Sequence, residues 1–266
     1  MEDIHIFSGG SFSLDPGAIF GMVPAPSWSR EYKVNEKGRI RLAVNIPVLR
    51  KGEKLIAFDS GLNRGLSERS MGFFEVSINK DLGTEIKEAM GIDRISATVY
   101  SHLHFDHSGA LFHARENIFS SSTVIVQESE VRFARRPNEL AKGSYPPVYM
   151  WKKRSKLLSG GARLSGDIRI TRTGGHSIGH QIAFFTVNGK KYLYPGDIFP
   201  SSFHIRPTHI PAIDSFPIES LHWKKVLLKK VINEEIHVIF PHDPRIQMAT
   251  ITGTVTSPVV NPERTT

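Results

Sequence analysis

The chain has 266 residues, of which 39% are apolar and 23% charged, with no cysteine and a formal net charge of +8. Without cysteine, disulfides and thiolate metal sites are excluded, so a transition-metal site must use nitrogen and oxygen ligands. No apolar run is long enough to cross a bilayer, and "MEDIHIFSGG" lacks the basic-then-apolar layout of a secretion signal, so a cytoplasmic location is expected.

Taken in order, the segments alternate between strand-like and helix-like patterns. "LIAFDSG" (55–61) is a short apolar run closing on Asp and Gly. "DLGTEIKEAMG" (81–91) predicts a helix capped by Asp81 and stopped by Gly91. Ile95 to Ser101 reads as a buried strand, and "TVIVQ" (123–127) as another. "ESEVRFARR" then predicts a helix ended by Pro137. Residues 137–166 mix Pro, Gly, aromatics and bases, and read either as a lid or binding loop or as a packed surface excursion, with helix expected around Tyr149 to Leu158. The densest basic cluster, "RSKLLSGGAR" with Lys152 and Lys153, lies here. It reads as a solvated surface before a nucleic-acid site.

Strand signals resume at "IRITRT" (168–173), and "QIAFFTVNGKKYLYPGD" (181–197) predicts a hairpin turned at Asn188-Gly189. "PIESLHWKKVLLKKVI" (217–232) predicts an amphipathic helix with Leu221, Leu228 and Ile232 on one face and the lysines mostly elsewhere. "HVIF" (237–240) is a short strand, and the last stretch suggests one more strand before a frayed tail (255–266). No repeat or linker divides the chain, so a single layered α/β domain over 1–266 is expected.

One stretch demands chemistry. In "SHLHFDHSGA" (101–110), His102, His104, Asp106 and His107 crowd together just after a strand. If the chain stays extended, His102 and His104 leave on the same side and can reach one metal ion, while the turn aims Asp106 and His107 at a second position. Burying such a cluster without compensation is costly, which argues against a filler role. Further ligand-type residues stand at other strand ends: His176 in "TGGHSIGHQ", Asp197 in "YLYPGD" and His242 in "VIFPHD". Each is weak alone, and their shared context strengthens all of them.

These residues resemble the pattern of the metallo-β-lactamase-fold hydrolases: His-x-His-x-Asp-His, then a distant Gly-His, a Gly-Asp and a final His. The wording "SHLHFDHSG" and "GHSIGHQ" is most similar to the quorum-quenching N-acyl homoserine lactonases, over roughly residues 40–245. The resemblance implies an αββα sandwich, two mixed sheets flanked by helices, with two divalent metal ions at one edge. His102, His104 and His176 would hold one ion, Asp106, His107 and His242 the other, and Asp197 would bridge them. The donor set suits zinc, with manganese, cobalt or iron accommodated as well. Asp59, in "AFDSGL", would orient a ligand histidine, and His180 is either an outer partner or a core or surface residue. A hydroxide shared by the ions would attack a carbonyl or phosphorus centre, with Asp106 relaying the proton.

The chain departs from the lactonases at Pro200, where a tyrosine often follows the bridging aspartate. Tyr194, His204 and His209 are the candidates to replace it. In the loop 201–217, Phe203, Ile205, Ile210 and Ile213 either line an apolar cleft or pack. The expected substrate is a lactone or small ester, foremost an N-acyl homoserine lactone. Phosphoester or phosphotriester hydrolysis and glyoxalase II-like thioester hydrolysis are the alternatives, and a metal-binding protein without activity is the non-enzymatic one. The partners expected are this small-molecule substrate and a second copy in a homodimer, as in related lactonases, with no nucleic acid.

Overall fold

A computed structural model describes residues 2–62, 65–111, 117–145, 154–165 and 167–264. Among the described residues the strands form two mixed sheets. The first has six strands in the order β1-β2-β3-β4-β5-β6: Glu2–Leu14, Ile40–Lys51, Lys54–Phe58, Ala97–Val99, Thr123–Gln127 and Ser155–Leu158. β1, β2 and β3 pair antiparallel, whereas β3 through β6 run parallel. The second has seven, in the order β13-β12-β11-β10-β9-β8-β7. In chain order they are β7 (Ala162–Ser165), β8 (Ile168–Arg172), β9 (Gln181–Val187), β10 (Lys190–Tyr194), β11 (His237–Ile239), β12 (Met248–Gly253) and β13 (Pro258–Pro262). Only β10 and β11 pair parallel there. The helices are α1 (Pro16–Phe20), α2 (Ala25–Trp28), α3 (Glu68–Phe73), α4 (Leu82–Met90), α5 (Glu128–Arg135) and α6 (Pro217–Asn233).

Period-two patterning builds the layers. In β9 and β10, Ala183, Phe185, Tyr192 and Tyr194 face the first sheet's Phe58, Val99 and Ile125, while Ile182 and Leu193 face Leu227, Leu228 and Val231 of α6. Phe58 and Phe185 stack across the sheets with ring centres 4.6 Å apart. On the far side of the first sheet, Ile86 and Met90 of α4 pack with β2, and Val131 and Ala134 of α5 with Val124 and Val126. The result is the expected αββα order of layers.

Local signals hold where they are chemical. Asp81 caps α4, its carboxylate accepting from Thr84 N at 2.9 Å, and Gly91 closes it in the left-handed region. Asn188 and Gly189 both take positive φ, 49° and 80°, as the two-residue turn requires.

Three expectations are corrected. The helix expected near Tyr149 to Leu158 falls partly on 146–153, outside the described residues, and its remainder, Ser155–Leu158, is the edge strand β6. Parallel pairing with β5 overrides the local helical pattern there. The tail contains β13, paired with β12, rather than a frayed end from 255. In α6 the buried face is Ser220, Lys224, Leu227, Leu228 and Val231, so Leu221 and Ile232 flank the core and one lysine lies within it.

Candidate metal centre

The C-terminal ends of β3, β4, β8, β10 and β11 open onto one edge of the sandwich. Beyond β4 the backbone turns tightly: His104 O accepts from His107 N and Ser108 N, both at 3.1 Å, and from Ser108 Oγ at 2.7 Å. This turn drops into a groove made by glycine. A Cβ on Gly109 would lie 2.2 Å from Leu62 O, and Gly109 N donates to Gly61 O at 2.9 Å. The ring centres of His102 and His104 are 4.4 Å apart, and His176 lies 4.7 Å and 4.9 Å from them. All of the sequence-predicted ligand positions converge: His102, His104 and His176 form one group of closely spaced donor atoms, Asp106, His107 and His242 another, and His102, His107 and Asp197 a third.

Asp197 stands between the groups. Its Oδ2 is 3.3 Å from His176 Nε2, and its Oδ1 is 3.2 Å from His242 Nε2 and 3.4 Å from His107 Nε2. A Cβ on Gly196 would come within 2.5 Å of His180 Nε2, so only glycine lets this strand end approach so closely. His180 is fully buried: its Nδ1 meets Thr173 Oγ1 at 2.7 Å, and its Nε2 accepts from Asp197 N at 3.1 Å. Of the readings left open for His180, burial excludes the surface one, and its ring is bound to the backbone of Asp197.

The proton positions on the rings decide what this cluster can hold. His107 Nδ1 donates to Asp59 Oδ2 at 2.7 Å, and His242 Nδ1 donates to the carbonyl of Ala43 at 2.9 Å. Each ring therefore leaves Nε2 for a further partner. These two nitrogens face each other at 2.9 Å, a spacing that calls for a proton or a metal cation between them. His176 repeats the arrangement: Nδ1 is bound to Asp214 Oδ1 at 2.8 Å, while Nε2 points at His104 Nδ1 at 3.1 Å. Among the described residues, His102 Nε2 and Asp197 Oδ1 are buried without a hydrogen-bond partner. Facing ring nitrogens and orphaned buried atoms need protons or metal cations among them, so the residues fit a metal-binding cluster.

Charge balance agrees. Burial, reinforced by neighbouring imidazoles, pushes His102 and His104 well below the usual histidine range. At His107 burial opposes protonation, but Asp197, Asp106 and Asp59 overcome it and raise the ring well above that range; at His176 Asp197 and Asp214 outweigh burial and raise the ring. Burial also penalises the charge on Asp197, yet His242, His107 and His176 hold its carboxyl well below the usual carboxylate range.

Asp59 is the hub behind His107. It is fully buried, and Asp59 Oδ1 accepts from Ser101 N while Oδ2 accepts from Ser101 Oγ and Tyr194 OH, each at 2.7 Å. Its φ of +64° is a left-handed conformation maintained by these bonds. Asp214 plays the matching part behind His176 and was not singled out from sequence; the Asp lies 38 residues away, and no local signal joins them.

A model of the metallo-β-lactamase superfamily matches residues 39–242. The chain belongs to that superfamily. Within this superfamily, the chain is 28% identical over 180 residues to the N-acyl homoserine lactonase AttM of Rhizobium radiobacter, a match covering 63% of this chain and 66%, just short of two thirds, of that relative. A probable metal-dependent hydrolase from Staphylococcus aureus superposes with a TM-score of 0.89 at 27% identity, over 100% of this chain and 98% of its own. AidC, a dizinc quorum-quenching lactonase, superposes with a TM-score of 0.80 at 16% identity over 100% of this chain and 95% of its own, a likeness of fold alone.

The metallo-β-lactamase frame also assigns the remaining candidates. Tyr194 is tied to Asp59, His204 to Ser201 Oγ and the Ile19 carbonyl, and His209 to the Phe203 carbonyl, so none of the three directs these polar atoms at the cluster. Pro200 accepts from His242 N at 2.8 Å. Phe203 and Ile205 are buried in packing, whereas Ile213 is 38% exposed. Among the described residues, no helix is long and apolar enough to cross a membrane.

Proposed function

We propose that the chain is a dinuclear metal-dependent hydrolase of lactones or small esters, foremost N-acyl homoserine lactones. The observation that carries this reading is Asp197 lying between two groups of imidazoles whose ring nitrogens face one another. In this reading His102, His104 and His176 would hold one divalent cation, Asp106, His107 and His242 the second, and Asp197 would serve both groups, with zinc the favoured ion for this donor set. Bound in pairs, such cations supply Lewis acidity to a substrate carbonyl and lower the proton affinity of water.

The side chains around them bind and relay. Asp106 and His104 keep 7% exposure and Asp197 5%, while His102 and His176 are at 0%, so substrate enters past Asp106, Asp197 and His104. Asp106 Oδ2 faces His107 and His242, at 3.8 Å and 3.5 Å. Its Oδ1 is then the atom that takes a proton from water as the carbonyl carbon is attacked, and returns it to the ring oxygen as the ester C–O bond breaks. Phe12, whose ring centre is 5.5 Å from that of His242, and Phe105 beside it back the site with the buried core.

The test is a panel of homoserine lactones of several acyl lengths, simple esters, glutathione thioesters and phosphotriesters, run on metal-loaded protein. Lactones should be turned over fastest, and Asp106→Asn should lower kcat by about 100- to 10,000-fold. Fully metallated protein inert toward lactones would reject the substrate assignment.

A further inference from the structure

The motif "GHSIGHQ" contains residues that the metal cluster does not use, and they lead to a buried acid. Glu130, near the start of α5, is 0% exposed. Its Oε1 accepts from Leu103 N at 3.0 Å and from Tyr145 OH at 2.7 Å. Its Oε2 accepts from Ser177 Oγ at 2.8 Å and from Gly179 N at 2.9 Å. Leu103 sits between His102 and His104, and Ser177 follows His176, so one carboxylate grips both histidine loops, which come from different sheets. The approach is as close as backbone permits: a Cβ on Gly179 would lie 2.4 Å from Glu130 N. The same acid holds Tyr145, whose ring centre is 4.7 Å from that of His104, and Ser144 O accepts from Phe105 N at 2.9 Å.

We propose that Glu130 is the positioning residue that sets the separation of His104 and His176, and with it the fit of the cation site they share with His102. The proposal rests on reading those three histidines as one site. A side chain that merely filled space would not need acceptors on both edges. Glutamine at this position is isosteric, but its amide turns one edge into a donor that faces either Leu103 N–H or Gly179 N–H. One histidine loop must then let go, while the partners of Asp106, His107 and His242 are untouched.

Cobalt(II) titration of the metal-free protein, followed by its visible bands and by competition with a chelator, reads the two sites separately and needs no turnover. Wild type should take up cobalt in two resolvable steps. Glu130→Gln should weaken one step by about 10- to 100-fold and leave the other unchanged, as removal of an outer partner of a ligand does, with little change in the melting temperature of the apo protein. Tyr145→Phe, which removes one of the bonds, should weaken the same step less. Two unchanged steps in Glu130→Gln, or both steps weakened alike together with a lower apo melting temperature, would overturn the proposal. Wild type that takes up fewer than two cobalt ions would overturn the site reading and this proposal with it. Absence of lactone hydrolysis beside intact cobalt steps would count against the substrate alone.

Discussion

The two sheets feed the candidate centre in opposite ways. From the first, one continuous turn after β4 delivers His102, His104, Asp106 and His107, and its own hydrogen bonds, such as Ser108 Oγ to His104 O, hold its shape. From the second, β8, β10 and β11 each deliver one residue, His176, Asp197 and His242, and each depends on a remote partner. Asp214 orients His176, His180 holds the Asp197 amide, and the Ala43 carbonyl orients His242. Both kinds of ligand rest on close backbone approach, at Gly109 as at Gly175 and Gly196, but the local turn sets several side chains together, whereas each dispersed ligand needs its own buried polar partner.

The comparison can be broken most severely at the residue that joins the two sides. Asp197→Ala removes the group facing both His176 and His242, so elemental analysis of purified protein should find less than one tightly bound ion per chain, with turnover abolished. Retention of the full metal complement would show that the two sides do not depend on a shared ligand.

A smaller effect sharpens the division. Asp59→Asn and Asp214→Asn each remove the charge behind one histidine, His107 and His176 respectively, and asparagine tolerates the left-handed backbone at position 59. Each should cost about 10- to 100-fold in metal affinity, measured by chelator competition, but at different sites. If both weakened the same site, the assignment of ligands to two separate ions would fail.

The smallest effect concerns the helix behind the second sheet. Lys224 is fully buried, donates to His204 O at 2.5 Å, and lies 5.1 Å from the centre of the Phe199 ring. Burial pulls its pKa down from 10.5 to about 7, with Asp214 offsetting part of the shift. The unfolded chain therefore binds the proton more readily, so this lysine destabilises the fold fully below about pH 7, and the penalty fades as pH rises toward 10.5. Melting of metal-free Lys224→Met against wild type should show a difference that shifts in favour of wild type between pH 7 and 10. A difference independent of pH would refute the account.

What was legible in the sequence follows the same division. Asp81 and Gly91 mark the ends of α4, and Asn188-Gly189 marks its turn, because these are short-range rules about side chains and their own backbone. Strand β6 was misread, since parallel pairing to β5 is a long-range fact. Lysines are rarely enclosed, so those of α6 are expected mostly off its apolar face, yet the helical phase puts Lys224 between Ser220 and Leu228.

The amino-acid sequence by itself determined the crowding of His102, His104, Asp106 and His107 after a strand, and the superfamily pattern to which His176, Asp197 and His242 belong, because ligand spacing and strand ends are written along the chain. Only the tertiary structure decided that the ring nitrogens face one another, that Asp214 and Glu130 stand behind the histidines, and that Tyr194, His204 and His209 are tied elsewhere. Those contacts join residues tens of positions apart, and they exist only once two sheets have packed face to face and brought their strand ends to the same edge.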